Sequence, residues 1–245
     1  MKIKVIVNGA QGKMGSLACE TIKKHPHFQL VAALSRQDDL EHAIKQHSAE
    51  IVIELTRADC VYENSLTIIQ SNAHPVIGTS GLLPEQIEHL QQLSLEKKLG
   101  GIIAPNFSIG AILMMRFAKA AAHFLPEVEI IETHHPQKLD APSGTAMKTA
   151  EMIAQARSEQ KKELPLKELV KGARGATFHE VNIHSILLPG VLARQEVLFG
   201  TLGETLSITH NSIDRASFMP GIILACTRVS SLETLYYGLE HLLEE

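Results

Sequence analysis

The feature that most restricts the fold lies at the start of the chain, where the β-branched run Ile3 to Val7 leads straight into Gly9-Ala-Gln-Gly-Lys-Met-Gly15. Such a run has the form of a buried strand. An amphipathic segment from Ser16 to about Lys24 follows and reads as a helix. Strand, glycine turn and helix, in that order, are what a dinucleotide fingerprint requires. The spacing is G-x-x-G-x-x-G rather than G-x-G-x-x-G, and tight turns use glycine for other reasons. What points to a nucleotide is the placement between this strand and this helix. In that reading Gly9 makes the turn, Gly12 admits the pyrophosphate and Gly15 lets the helix pack on the strand.

The alternation continues. A second strand, Leu30 to Leu34, ends at Ser35-Arg36, about twenty residues past the fingerprint, where an adenosine ribose is read. A third, Ile51 to Ile53, precedes a helical stretch from Val61 to Ser71. A fourth starts at His74-Pro75-Val76-Ile77 and ends in Gly78-Thr79-Ser80-Gly81. A helix over about Pro84 to Lys98 leads to a strand, Gly101 to Ala104, and to Pro105-Asn106-Phe107-Ser108. Strands alternating with helices predict an α/β fold with a doubly wound parallel sheet, its ligand loops at the strand C-termini.

After an apolar helix, Ile109 to Phe124, the character changes. Val181 to Leu188, Glu196 to Leu202 and Glu204 to Ile213 read as successive strands, so the second part is α+β with a largely antiparallel or mixed sheet. In the last of these Leu206, Ile208 and His210 alternate with Thr205, Ser207 and Thr209, which makes His210 a core or interface histidine. Arg157 to Arg174 reads as a charged surface loop with a short helix, from which Arg174 can reach a ligand. From Phe218 the chain turns helical again, with Pro220-Gly221 starting one helix and another near Leu235 to Leu243.

Composition narrows the function classes. At 245 residues the chain makes one large domain or two small ones. A formal charge of -4 offers no basic excess for nucleic-acid phosphates. Cys19, Cys60 and Cys226 are far apart with no C-x-x-C, which suits a reducing compartment. The apolar run after Lys2 and Lys4 is broken at Asn8 and Gly9, unlike a signal peptide, and no apolar stretch approaches ~20 residues. The expectation is a cytoplasmic protein with no membrane or nucleic-acid partner.

The chemistry concentrates in Glu132-Thr-His-His-Pro-Gln-Lys-Leu-Asp-Ala-Pro-Ser-Gly-Thr-Ala146. The apolar Val128 to Ile131 puts the two histidines at a strand end. Pro142 disfavours helix just before it, Ser143 is a good N-cap, and Met147 to Ala156 reads as helix. Gly144 and Thr145 then occupy the first helical positions, where free N–H groups and the helix dipole make an anion site. Lys138 adds charge, and His134 and His135 titrate near neutral pH. A histidine pair is also a common structural feature, and with Asp140 it suggests a metal; Lys138 in its midst repels a cation, so no metal is expected.

This stretch closely resembles the signature of the 4-hydroxy-tetrahydrodipicolinate (dihydrodipicolinate) reductases, E-x-H-H-x-x-K-x-D-A-P-S-G-T-A, at every fixed position. The resemblance implies that His134 and Lys138 are catalytic and that His135, Gly144 and Thr145 bind a substrate carboxylate. The family's glycine turn likewise has Met before the third glycine, which puts Gly9, Ala10, Gln11, Gly12, Lys13 and Met14 at the cofactor. Gly78, Thr79 and Ser80 resemble its G-T-T-G cofactor loop with one change, and Ala104, Pro105, Asn106 and Phe107 match its segment beside the nicotinamide. Arg215 and Phe218 match further positions near the cofactor. There are two departures. Leu187 follows His184-Ser185-Ile186 where relatives commonly have Arg, and Ser35 stands where many have an acid, with Arg36 retained.

The resemblance further implies conjugate hydride transfer from NAD(P)H to a small cyclic dicarboxylate in the diaminopimelate/lysine pathway. It implies a dinucleotide domain of residues 1–104 and 218–245, a substrate and oligomerisation domain of residues 105–217, and a homotetramer. Loss of the acid with retention of Arg36 points to NADPH as the preferred cofactor, with NADH also used. An aspartate-semialdehyde dehydrogenase would need a nucleophilic cysteine, and a nucleotide-sensing protein would have no use for His134, Lys138 and the anion site together.

Overall fold

In the computed structural model, residues 2–157 and 167–243 are described. They form two compact units, residues 1–109 with 218–245 and residues 110–217. The loop after Ala104 goes with the first unit because Phe107, 3% exposed, is buried there.

The first unit is built on β1 (Ile3–Asn8), β2 (Phe28–Leu34), β3 (Ile51–Glu54), β4 (His74–Ile77) and β5 (Gly101–Ile103). Val5, Ile6, Val7, Ile51, Val52 and Ile53 are completely buried, as befits strands covered on both faces. Each such side chain contributes about 1.5–3 kcal/mol by leaving water. Helices α1 (Lys13–Lys24), α2 (Leu40–His47), α3 (Val61–Gln70) and α4 (Pro84–Glu96) connect the strands. The sequence reading has no element at α2. Asp39 caps it by accepting from the His42 N–H at 2.9 Å, and Leu40, Ala43 and Ile44 bury its inner face.

The end of the chain corrects the expected helix near Leu235 to Leu243. Leu235–Tyr237 is a strand, Gly238 turns the backbone at φ +108°, and a short 3-10 helix covers Leu239–Leu242. The strand pairs in parallel with β5. It gives the sheet the order C-terminal strand, β5, β4, β3, β1, β2 and covers an edge that would otherwise be bare. The helix that begins at Pro220 is present as Met219–Arg228.

The second unit begins with α5, Ile109–Ala122, most of which lies in it. It carries α6 (Gly144–Ala156) and five strands: β6 (Glu127–His134), β7 (Ala176–Phe178), β8 (Val181–Leu187), β9 (Ala193–Thr201) and β10 (Glu204–Ser212). Among the described residues the sheet is mixed, ordered β10-β9-β6-β8-β7, with only β6 and β8 parallel. Val128, Ile130, Val181, Ile183, Val197 and Phe199 fill one face and are nearly or wholly buried. The other face carries Glu129, Ile131, His184, Ile186 and Leu198 around an open cleft. Arg174 pairs with Glu129, whose other oxygen meets His184 Nε2 at 2.7 Å. His210 is half-buried beside Gly110, not in the core. Part of the expected loop and short helix over Arg157 to Arg174 falls on residues 158–166, outside the described residues; residues 167–174 form bends and turns.

Candidate active site

At the C-terminal edge of the first sheet the glycine turn has the shape a dinucleotide needs. Gly9 sits at φ +86°, and a Cβ there would meet the Leu55 carbonyl oxygen at 2.4 Å. Its N–H and that of Ala10 both donate to the Leu34 carbonyl, at 3.0 and 2.9 Å, which ties the turn to the end of β2. Gly12 is the N-cap of α1 and has no side-chain cap, so the first-turn donors at Lys13 and Met14 lack helical acceptors. A Cβ on Gly15 would lie 2.1 Å from the Gly9 oxygen, so only glycine lets α1 start this close to the turn. A bare helix start with this cradle fits a pyrophosphate.

Beyond β2, Arg36 is exposed. Asp38 bends back so that its carboxylate accepts from the Ser35 N–H and hydroxyl, at 2.7 and 2.9 Å. Those bonds hold the Asp38 carboxyl below the usual carboxylate range. Gly78 and Thr79 are anchored on β3, the Gly78 N–H and the Thr79 hydroxyl both donating to the Glu54 carbonyl at 3.0 and 3.3 Å. Ala104 donates to Ile77 at 2.8 Å, and Asn106 Oδ1 accepts from the Ser108 N–H at 2.8 Å. A Cβ on Gly78 would meet Phe107 Cε2 at 2.5 Å, so Phe107 locks these two loops together from beneath. Sequence reasoning passed over Asn8 and Glu54. Glu54 is wholly buried at the end of β3, takes a 2.7 Å hydrogen bond from Asn8 Nδ2, and is pushed up in pKa by burial. Their signal in the sequence is a polar side chain closing each of two strands rich in β-branched residues.

In the second unit the strand period of two puts Glu132 and His134 of β6 on the same face. Glu132, 1% exposed, accepts through Oε1 from the Ser143 N–H at 2.9 Å and the Ser185 hydroxyl at 2.7 Å. Ser143 in turn caps α6, its hydroxyl accepting from the Ala146 N–H at 3.2 Å. Gly144 and Thr145 are the first residues of α6 as expected, and the space a Cβ on Gly144 would enter is open. The Thr145 carbonyl accepts from the Thr149 hydroxyl at 2.7 Å, and Thr149 accepts from Gln195 Nε2 at 2.8 Å. The Lys138 side chain is largely buried, with Nζ 2.7 Å from Asp140 Oδ1. His135 Nδ1 is buried without a hydrogen-bond partner. Burial lowers the His134 pKa, as do Lys138 and His135, while Glu132 and Asp140 raise it.

Glu132, which holds the α6 cap residue Ser143, stands 3.7 Å from His134 Nδ1; His135 and Lys138 act electrostatically on His134, and the space at Gly144 is open. Among the described residues no three His, Cys, Asp or Glu side chains are grouped to hold a metal, and no helix is long and apolar enough to cross a membrane. Cys19 and Cys226 are buried, with burial raising both thiols, and Cys60 is half-buried and donates to the Arg57 carbonyl.

Residues 3–107 match the family described as dihydrodipicolinate reductase, N-terminus, and residues 110–243 that described as dihydrodipicolinate reductase, C-terminus. The chain is 67% identical over 243 residues to a 4-hydroxy-tetrahydrodipicolinate reductase of Legionella pneumophila (strain Corby), covering 99% of this chain and 100% of the relative. It is 52% identical, with the same coverage, to one of Coxiella burnetii (strain Dugway 5J108-111). A solved dihydrodipicolinate reductase from Paenisporosarcina sp. TG-14, with dipicolinate bound, superposes at TM-score 0.91 with 42% identity, covering 98% of this chain and 99% of that one. An engineered D-amino acid dehydrogenase bound to NADP+ shares the fold at TM-score 0.62 and 13% identity, covering 100% of this chain and 96% of its own. Signature, fold and near-complete matches at high identity agree: this chain belongs to the 4-hydroxy-tetrahydrodipicolinate (dihydrodipicolinate) reductase family.

Proposed function

We propose that this protein reduces 4-hydroxy-tetrahydrodipicolinate to tetrahydrodipicolinate, in diaminopimelate and lysine biosynthesis, using NADPH in preference to NADH. The observation that carries the reading is the start of α6 at Gly144 and Thr145, with open space at Gly144, in the same stretch as His134, His135 and Lys138. The substrate is a dicarboxylate, and the solved relative has dipicolinate bound. A bound NAD(P)H supplies the hydride, which adds at C4 after the 4-hydroxyl has left as water.

The first-turn N–H groups of α6 hold a substrate carboxylate, with His135 beside them. Lys138 provides positive charge where negative charge builds on the ring, and His134 donates the proton that quenches it. Gly9 to Met14, Gly78 to Ser80 and Ala104 to Phe107 hold the dinucleotide. This divides labour between a dinucleotide domain and a substrate and oligomerisation domain. Arg36 favours a 2′-phosphate, whereas Asp38, locked onto Ser35, favours free ribose hydroxyls; their opposition is why NADH is also accepted. The enzyme is a cytoplasmic homotetramer.

The test is oxidation of NADPH, followed by absorbance, when substrate is generated in situ from aspartate semialdehyde and pyruvate. Substrate-dependent oxidation is expected. Its absence with both cofactors overturns the reading.

A further inference from the structure

The buried carboxylate of Glu132 has no part in the chemistry above, and its surroundings define one. Oε1 is satisfied by Ser143 and Ser185, but Oε2 is buried with no hydrogen-bond partner and faces His134 Nδ1 at 3.7 Å. A buried carboxylate oxygen left without a donor is costly, which favours a hydrogen on the imidazole nitrogen that faces it. Gln195, opposite Glu132 on β9, makes no bond to Oε2; its Nε2 donates to the Thr149 hydroxyl at 2.8 Å. On the strands flanking His134 stand Leu187 and Ala193, neither of which ionises. The following loop brings His135, Lys138 and Asp140. Lys138 and His135 oppose a positive charge on His134. Of the two acids that favour it, Asp140 is 73% exposed and paired with Lys138, so Glu132 is the one that acts without solvent screening.

We propose that Glu132 is a positioning residue that keeps a hydrogen on His134 Nδ1, so that the acid proton is carried and released at Nε2. Through its bond to Ser143 the same carboxylate fixes the start of α6, which couples the proton donor to the carboxylate cradle. The inference rests on His134 being the proton donor. In the step, the Nε2–H bond breaks and its electron pair stays on the imidazole. The proton joins the carbanionic centre of the substrate that has already accepted hydride. The neutral ring keeps its Nδ1–H toward Glu132, and Nε2 is reprotonated from solvent.

Two measurements test this. Nitrogen-15 NMR of histidine-labelled wild-type protein, above the His134 titration, is expected to show the Nδ1–H tautomer. Glu132→Gln keeps an acceptor for Ser143 and Ser185 but loses the charge. The basic limb of its kcat profile is expected to move down by about one pH unit or more, with KM for substrate little changed, while Glu132→Asp keeps the limb near its wild-type place. An Nε2–H tautomer in the wild type, or an unmoved limb in a folded Glu132→Gln protein, overturns the proposal. Full turnover in His134→Gln would instead overturn the assignment on which it rests. Because the tautomer is read on wild-type protein, the outcome does not depend on the variants folding.

Discussion

The carboxylate of Asp38 accepts from both the backbone N–H and the hydroxyl of Ser35, at 2.7 and 2.9 Å. An acid absent from the end of β2 in sequence is thus returned to it by the turn, while Asp39 is occupied in capping α2. Arg36 and Asp38 should pull cofactor choice in opposite directions. We expect NADPH to give the higher kcat/KM in the wild type. Arg36→Ala should lower the NADPH-to-NADH ratio, and Asp38→Ala should raise it. Both side chains are exposed, and contacts of about 1 kcal/mol or less limit each effect to roughly fivefold. Equal or NADH-favouring values in the wild type refute the preference.

Replacing the proposed acid or its electrostatic partner should affect chemistry rather than cofactor binding. His134→Gln or Lys138→Ala is expected to lower kcat by roughly two orders of magnitude or more. NADPH affinity, read by fluorescence titration, should stay near the wild-type value. Wild-type turnover in both variants would sink the assignment.

Two glycines should respond differently to the same change. Gly15→Ala puts a Cβ 2.1 Å from a backbone oxygen, which neither side can yield without moving. It should cost roughly 1–3 kcal/mol of stability and weaken NADPH binding. Gly144→Ala meets nothing within 4 Å and replaces a poor helix former. Its Tm should match or exceed the wild type, while KM for substrate rises because the methyl group enters the proposed carboxylate site. A Gly144→Ala protein with unchanged KM argues against that site.

Acid should weaken the fold through its histidines. His134, His184 and His210 all have pKa values lowered chiefly by burial. Below the ordinary value of about 6.5 the unfolded chain binds more protons than the native one. Their contribution is therefore present above that pH and lost as pH falls toward the native values. Glu54, raised by burial, acts with the opposite sign. Tm should fall between about pH 7.5 and about pH 5.5, and His210→Gln should flatten that slope. An unaltered slope in the variant would assign the dependence elsewhere.

The second sheet leaves Ile186 and Leu188 44% and 51% exposed. A symmetric association that covers such side chains is the simplest remedy, and light scattering at micromolar concentration should report a tetramer. A monomer contradicts the homotetramer.

Local order along the chain was enough for much of this protein. The strand Ile3 to Val7, the glycine turn and α1 were readable because each obeys a short-range rule: burial on both faces, a positive φ, a helix free to start. The α6 cap at Ser143 is equally local, so Gly144 and Thr145 fell at the helix start as expected. Tertiary structure decided what depends on partners far along the chain. Leu235 to Tyr237 became a strand because the β5 edge offered backbone partners, a fact absent from the local pattern. Arg174 was taken up by Glu129 across the second sheet. Glu132 opens the signature stretch, yet its meeting with Ser143 and Ser185 needed β6, β8 and the α6 cap in place together. Short-range sterics and periodicity are written residue by residue, whereas a buried carboxylate finds its partners only after packing has removed water as the alternative.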